Sequence, residues 1–284
     1  TDQFKYVHQY FSLKEFKFIF FWEWFHRLWA RFLGVVFLIG FVYFIIKKKF
    51  NRTMILPMVI LFFLGAMQGA IGWFMVKSGL VPEKYFVGHI ELTTHFIAAL
   101  ILLSYTFWFA LNLLPTFKEK VFHSKTRKLL IAIISILFIQ LIYGGFMAGM
   151  KAAATAPTWP SINGAMMPSA MNELSPWIQN LINNKITIHF IHRGIAYTLF
   201  ALAMLFYFQT KTLINHSVFK KVRITFLSLM AIQVLLGISA LLTATSGSAF
   251  VIIGVSHQFT AMLLVLCLVT LLFVVKKTNK VEAV

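Results

Sequence analysis

Acidic residues and cysteine are scarce in this sequence. Aspartate and glutamate account for 8 of the 284 residues, and all charged residues together for 12%. Hydrophobic residues make up 60%, whereas a soluble domain has about 45–50%, so the composition excludes an ordinary soluble fold. The single cysteine, Cys267, can build neither a disulfide framework nor a thiolate metal site.

Long apolar runs take up most of the chain. A helix that crosses a bilayer needs about 20 apolar residues, and runs of this length are too long for buried strands. The sequence therefore predicts an all-α polytopic membrane protein. The predicted spans are 15–46, 54–76, 88–112, 127–149, 186–209, 221–243 and 250–275.

Positive charge lies between the predicted spans and does not form one basic face. Of the 26 lysines and arginines, 16 fall in four short segments. These alternate with connections of low charge, as the positive-inside rule predicts for cytoplasmic loops. We therefore expect membrane lipid around the spans, a cytoplasmic C-terminus and no nucleic-acid partner. The basic segments are 47–52, 118–128, 211–223 and 276–280, and the connections expected outside are 1–14, 77–88, 150–185 and 244–249.

Three motifs recur in the same order at a nearly constant separation, which indicates an internal duplication. An even number of spans separates the matched helices, so both copies run in the same direction. We predict two pseudo-symmetric four-helix bundles related by an axis along the membrane normal, in domains 1–115 and 116–284. The matched positions are His26 with His192, Gln68 with Gln233, and His95 with His257, at offsets of 166, 165 and 162.

A Gln-x-x-x-Gly pattern occurs in three of the predicted spans. One interpretation is the polar wall of a pocket. The other, which we favour, is close contact between helices, because glycine lets backbones approach and glutamine hydrogen-bonds across helices. The three copies are Gln68 with Gly72, Gln140 with Gly144, and Gln233 with Gly237.

Four of the nine histidines lie inside predicted spans at a common depth. His26, His95, His192 and His257 each come about seven to eleven residues after the expected outer end of a helix, or roughly 10–17 Å below it. An ionisable side chain inside a span is a functional candidate, since it must find a partner there. The other five have simpler explanations: His8, His123 and His216 lie in loops, His89 at a helix entrance, and His189 at the membrane interface.

Paired imidazoles at one depth are typical of haem ligation. Neutral histidine is a common axial ligand of haem iron, and facing helices of a four-helix bundle hold cofactors between them. The duplication pairs His26 with His95 and His192 with His257. Three alternatives stay open: histidines that only hydrogen-bond their neighbours, a metal or proton transporter, and a di-haem cytochrome that transfers electrons.

Charged side chains next to these histidines differ between the two copies. Glu23 precedes His26 by three residues, so both lie on one helix face, whereas His189 occupies the matching place in the second copy. The difference suggests chemistry at the first site and electron transfer at the second; the alternative is a helix-end carboxylate paired with Arg27. Arg27, Arg31 and Arg193 could bind haem propionates or extend to lipid headgroups.

Together these motifs resemble the haem A synthase family, whose members convert haem O to haem A for cytochrome oxidase. The resemblance runs from the first span to the last. It rests most on Glu23-x-x-His26-Arg27 and on the Gly-Trp-Phe-Met-Val-Lys-Ser-Gly-Leu stretch that begins at Gly72, and further on His95, on Thr158-Trp-Pro-Ser-Ile-Asn-Gly164, on Ile191-His192-Arg193 and on Ser256-His257-Gln258.

The resemblance implies a role for each candidate. His26 and His95 would bind the substrate haem O, His192 and His257 would hold a haem b cofactor that relays electrons, and Glu23 would be the catalytic carboxylate. It also implies an unidentified electron donor, haem O synthase as a partner, and the bacterial inner membrane or, alternatively, the mitochondrial inner membrane as the location.

Two features depart from the family pattern. Residues 1–14 and 150–185 lack the cysteine pairs of some bacterial members, which is similar to the proteobacterial and mitochondrial group. Glu91 stands where many members have a basic residue, so propionate contacts at the third span would differ.

The first copy has three predicted spans and the second has four. The counterpart of span 127–149 would fall at about −38 to −16, before Thr1, if the repeat offset holds. We therefore expect a longer protein with eight spans, and a groove beside His26 and His95 in the chain as given.

Overall fold

The computed structural model of the protein describes residues 2–7, 9–79, 81, 86–117, 120–213 and 216–276. Seven helices in these residues are long and apolar enough to cross a membrane, which confirms the prediction of an all-α polytopic membrane protein. They are α1 (Leu13–Ile46), α2 (Arg52–Ser78), α3 (His89–Leu113), α4 (Ser124–Gly149), α5 (Lys185–Gln209), α6 (Ser217–Leu242) and α7 (Ser248–Val274).

Short elements connect the long helices. Two short α-helices cover Asp2–Val7 and Asn180–Asn183, and two strands, β1 (Val121–Phe122) and β2 (Val275–Lys276), pair in parallel. Single 3-10 turns are found at Pro115–Phe117, Ala152–Thr155, Ser169–Asn172, Trp177–Gln179 and Lys211–Leu213.

Side chains just before the helices satisfy amide groups that the first turn leaves free. The Ser12 hydroxyl accepts from the Glu15 amide at 3.3 Å, and the Glu15 carboxylate accepts from the Ser12 amide at 2.8 Å, so α1 begins with a capping box. The Asn184 side chain accepts from the amides of Ile186 and Thr187 at 2.9 and 3.2 Å, which fixes the start of α5.

The chain divides into two compact units, Thr1–Tyr105 and Thr106–Val284; the predicted boundary was after residue 115. In the N-terminal unit α1 packs against α2, where the Phe37 and Phe62 rings stack with centroids 6.2 Å apart. Neither helix contains a buried residue. The N-terminal unit is therefore held by few side-chain contacts.

The four long helices of the C-terminal unit form a closed ring. Helix α4 packs tightly on α5 and α6 on α7, and looser contacts of α5 with α6 and of α4 with α7 complete the ring. Fully buried aromatic residues join α5 to α6, with the Phe206 ring centroid 6.3 Å from that of Phe219 and 5.6 Å from that of Phe226. This unit therefore has a packed core.

The strands join the start and the end of the C-terminal unit. Val121 pairs with Val275, just before α4 and just after α7. The Arg127 guanidinium donates to the carbonyl oxygens of Leu272 and Val275 at 3.1 and 2.6 Å, so it satisfies acceptors that the end of α7 leaves free. Partial burial, together with a neighbouring positive charge, lowers the pKa of Lys120 and Lys276 at this end.

Candidate functional site

The His192 ring of α5 lies against a glycine of α4. A Cβ atom added to Gly144 would be 3.4 Å from Cε1 of His192, an ordinary contact at its lower limit. One turn earlier on α4, the Gln140 amide nitrogen lies 3.4 Å from Nε2 of the same ring. Glycine thus leaves room for the imidazole and glutamine gives it a polar neighbour.

The same arrangement joins α6 and α7. A Cβ atom on Gly237 would be 3.0 Å from Cε1 of His257, and the Gln233 amide nitrogen is 3.2 Å from its Nε2. The ring therefore occupies the space that a larger residue at position 237 would need. His192 and His257 thus come from the first and third of the consecutive helices α5, α6 and α7.

The N-terminal unit contains one such arrangement, between α2 and α3. A Cβ atom on Gly72 would lie 2.8 Å from Cε1 of His95, closer than real side chains approach. The Gln68 amide nitrogen is 3.3 Å from Nδ1 and 3.4 Å from Nε2 of the ring, and it also donates to the His95 carbonyl oxygen at 3.1 Å. Gln68 is thus bound to the main chain as well as to the imidazole.

We call each set of one glutamine, one glycine and one histidine a histidine seat. The four-residue spacing puts the glutamine and the glycine on one helix face, and each seat receives its ring from a different helix. Close helix contact was the favoured interpretation of the motif, and in the C-terminal unit the seats do join the most tightly packed helix pairs. The group that the glycines make room for, however, is the imidazole.

His26 has no such seat within the described residues. Its side chain is exposed on α1, whereas His95, His192 and His257 are half-buried. His26 is among the titratable groups near His95, and His257 is among those near His192. Joint ligation of an iron by these pairs stays a prediction.

A haem fits the donor set of the C-terminal pair. Nδ1 of His192 and Nδ1 of His257 have no accessible surface and no hydrogen-bond partner within the described residues. A buried ring nitrogen without a partner is costly, and ligation of a metal would remove that cost. Among the same residues no three or more His, Cys, Asp or Glu side chains come together in a way that could hold a metal ion by themselves. Haem iron needs only two histidines from the protein, because the porphyrin supplies its other ligands.

Glu23 is an exposed side chain of α1. Its Oε2 atom lies 3.5 Å from the Arg27 guanidinium, and the two side chains are 63% and 50% exposed. An ion pair this exposed contributes little stability, so both groups can turn to other partners. The structure thus contains the Glu23–Arg27 ion pair that was the alternative to a catalytic role for Glu23. The Glu23 carboxylate in this pair is still accessible.

Arg193 binds the loop between α4 and α5. Its guanidinium donates to Nδ1 of His189 at 2.9 Å and to four main-chain carbonyls of the loop between α4 and α5, at 2.8–3.2 Å. All five N–H groups are used, which explains why the loop closes around this side chain. A contact of Arg193 with a haem propionate or a lipid headgroup therefore stays a prediction. The carbonyls belong to Ala156, Thr158, Pro160 and Ser161.

His189 is buried and does not face the membrane interface as expected. It is only 1% exposed, because it lies under the loop that Arg193 holds. His123 and His216 precede α4 and α6 as N-cap residues, and His89 is the first residue of α3. His8 lies outside the described residues.

The contact between Arg193 and the loop before α5 was not predicted, although the sequence contained a signal for it. The Thr158–Gly164 stretch was part of the resemblance but had no assigned partner. Arg193 supplies that partner, and the Thr158 hydroxyl orders the same turn by donating to the Ser161 carbonyl at 2.8 Å.

Comparisons with known proteins agree with these motifs. Residues 1–269 match a family model described as cytochrome oxidase assembly protein. A haem A synthase of Nitrosospira multiformis is 37% identical over 93% of this chain and 74% of its own length. Those of Flavobacterium psychrophilum and Brucella suis are 36% and 35% identical, over 91% and 92% of this chain and 75% and 71% of their own lengths. No solved structure matches.

Proposed function

Because the chain belongs to the cytochrome oxidase assembly protein family, we propose that it is a haem A synthase, an integral membrane oxidoreductase. Its substrate is haem O, and its reaction oxidises a ring methyl group of that haem to the formyl group of haem A. The observation that carries the proposal is the presence of histidine seats in both units, one in the open N-terminal unit and two in the closed C-terminal unit.

The C-terminal pair would hold a resident haem b. His192 and His257 would be its iron ligands, and the bound haem would supply an electron relay. Support comes from the buried ring nitrogens without partners and from the closed ring of helices around them. Arg193 keeps the loop in place above His192 and thereby limits the access of water to the pair.

The N-terminal pair receives the substrate. His26 and His95 hold the haem O iron between α1 and α3, and the exposed His26 lets a haem enter and leave. Glu23 lies one turn from His26 and acts on the reacting methyl carbon, because a carboxylate there stabilises positive charge as it develops. Glu91 lies one turn before His95. Many members of the family have a basic residue at this position, which would bind a haem propionate, so the propionate contacts of this chain differ there.

The remaining assignments follow from the proposed reaction. Haem O has to be supplied by a haem O synthase, and the electrons that haem b would relay come from a donor of unknown identity. The basic segments between the helices support a cytoplasmic C-terminus. The location that we propose is the inner membrane of a bacterium.

Glu23→Gln tests the proposal. Expressed with a haem O synthase, the unchanged protein should yield haem A, identified by mass after extraction. The Glu23→Gln variant should keep its bound haem and lose at least about 100-fold in haem A yield, because the amide keeps the shape and removes the charge. Glu15→Gln, on the same helix and bonded to Ser12, is the matched control and should stay active. Normal haem A yield from Glu23→Gln would refute the catalytic role.

A further inference from the structure

Two lysines converge on one aromatic ring at the end of the C-terminal unit where β1 and β2 pair. The Lys120 ammonium lies 3.5 Å from the centroid of the Phe273 ring, and the Lys276 ammonium lies 5.3 Å from the same centroid. The Lys276 ammonium is also 5.5 Å from the centroid of the Trp108 ring on α3. Each contact is a cation–π interaction, so the two rings hold both positive charges in one small region.

The main chain fixes the positions of these lysines. Lys276 belongs to β2, where it pairs with Phe122, and its carbonyl accepts from the His123 amide at 3.1 Å. Lys120 comes just before β1, and its ammonium donates to the Phe117 carbonyl at 2.7 Å. The pairing of the two strands therefore brings the two charges together.

The closeness of the two ammonium groups has a cost. Like charges repel, and the repulsion grows where water is partly excluded. Partial burial, followed by the charge of Lys276, lowers the pKa of Lys120. Partial burial, followed by the charge of Arg127, lowers the pKa of Lys276. Neither ammonium forms an ion pair with a carboxylate among the described residues, so an anion from outside the chain would offset this cost.

A groove of about 280 Å³ lies beside the Lys120 ammonium. It is found where α3 and α7 end, close to the ends of the predicted spans 88–112 and 250–275. A largely apolar groove with a cationic edge at this level matches a phospholipid, whose acyl chains lie next to a charged headgroup. The side chains that line the groove are Leu111, Asn112, Leu114, Phe117, Lys120 and Phe273.

We propose that Lys120 and Lys276 bind the phosphate of an acidic phospholipid, with part of the lipid in the adjacent groove. The headgroup has to be acidic, because the two lysines would repel the amine of a zwitterionic headgroup. The cytoplasmic leaflet carries a negative surface potential, and the cytoplasm is the side proposed for this end of the chain. The site contains no residue of a histidine seat, so lipid binding goes beyond the proposed function and does not depend on haem.

Replacement of the lysines by methionine tests the site. The full chain is purified in detergent, phosphatidylglycerol is added, and native mass spectrometry measures the dissociation constant of the first bound lipid. Lys120→Met/Lys276→Met should raise this constant by about 10-fold or more, because both cations that face the phosphate are lost. Lys120→Arg/Lys276→Arg keeps both charges and should stay within about threefold of the unchanged protein.

A second pair of lysines provides the matched control. Lys125 and Lys128 are exposed residues at the start of α4. Lys125→Met/Lys128→Met removes the same charge and should change the dissociation constant by no more than about twofold, because salt screens exposed charges. Circular dichroism verifies that each variant keeps its helices. An equal loss of affinity in both methionine variants would mean that lipid responds only to the total charge, which overturns the proposal.

Phosphatidylcholine and inorganic phosphate separate the possible ligands. Tighter binding of phosphatidylglycerol than of phosphatidylcholine, lost in Lys120→Met/Lys276→Met, supports the proposal. Equal binding of the two lipids would show a groove without selectivity for charge. Displacement of phosphatidylglycerol by an equal concentration of inorganic phosphate would show a site for soluble anions. Either of these two results overturns the proposal.

Two acidic residues, Glu119 and Glu282, lie outside the described part of the chain, and their variant completes the test. If they neutralised the two lysines, only Glu119→Gln/Glu282→Gln would bind phosphatidylglycerol, and the unchanged protein would not. That result would overturn the proposal, because the chain itself would supply the opposite charge. Equal binding by this variant and by the unchanged protein supports a lipid as the partner of the lysines.

Discussion

The two units contain the same histidine motif in different surroundings. In the C-terminal unit the helices form a ring with buried aromatic residues, and the loop before α5 is fixed to Arg193. In the N-terminal unit α1 and α2 have no buried residue, and among the described residues Arg27, the counterpart of Arg193, bonds only the exposed Glu23. The duplicated motif thus keeps the position of a histidine, whereas the packing around it determines whether that histidine is enclosed or accessible.

The largest expected difference concerns haem content. His192→Ala or His257→Ala should abolish the bound haem of the protein purified without added haem, because the enclosed pair loses an axial ligand. His26→Ala or His95→Ala should leave that haem in place and reduce uptake of added haem O. The absorption spectrum and the haem-to-protein ratio measure both effects. Equal loss from all four variants would remove the distinction between resident and exchangeable sites.

A smaller difference is expected in stability. Phe206 is fully buried between Phe219 and Phe226, so Phe206→Ala should cost about 3–5 kcal/mol. Phe20 on α1 is 56% exposed, and Phe20→Ala should change stability by no more than about 0.5 kcal/mol. Thermal unfolding in detergent, followed by circular dichroism, compares the two variants. Similar losses would show that the N-terminal helices are packed as firmly as the C-terminal ring.

The two arginines provide a third comparison. Arg193→Lys keeps the charge but lacks the five donors that hold the loop, so it should cost about 1.5–3 kcal/mol and expose the loop to proteases. Arg27→Lys should have no measurable effect, because its ion pair is exposed. Limited proteolysis of residues 150–184 measures the difference. An uncut loop in Arg193→Lys would show that other contacts hold it.

The smallest expected effect is a pH dependence confined to the C-terminal unit. Burial lowers the pKa of Lys120 and Lys276 below the ordinary value of 10.5. Between the lowered pKa and pH 10.5, the unfolded chain therefore binds more protons than the folded one. Stability therefore rises with pH up to about 10.5. The rise should be only about a few tenths of a kcal/mol, since both groups are partly exposed. Lys120→Met/Lys276→Met should remove this dependence, and the exposed control Lys221→Met should retain it.

The seven long helices could be predicted from the sequence, because a long apolar run in lipid is stable as a helix. The common depth of the histidines follows from the fixed rise per residue and stays a prediction. The partners of Arg193 could not be predicted, because four of them are main-chain carbonyls, which every residue possesses. The role of the glycines was missed for a related reason: the small size of Gly144 permits a close approach without indicating that the approaching group is an imidazole.

The parallel pairing of β1 with β2 determines when the C-terminal unit can be completed during synthesis. Val121 leaves the ribosome before α4, whereas its partner Val275 follows only after α7. Until then His192 can be seated on α4, but its partner His257 and the contact of α4 with α7 do not yet exist. Insertion of the last helix is therefore the step at which the ring closes. The proposed haem b would therefore bind at that step or afterwards, to a chain that is already translated through β2.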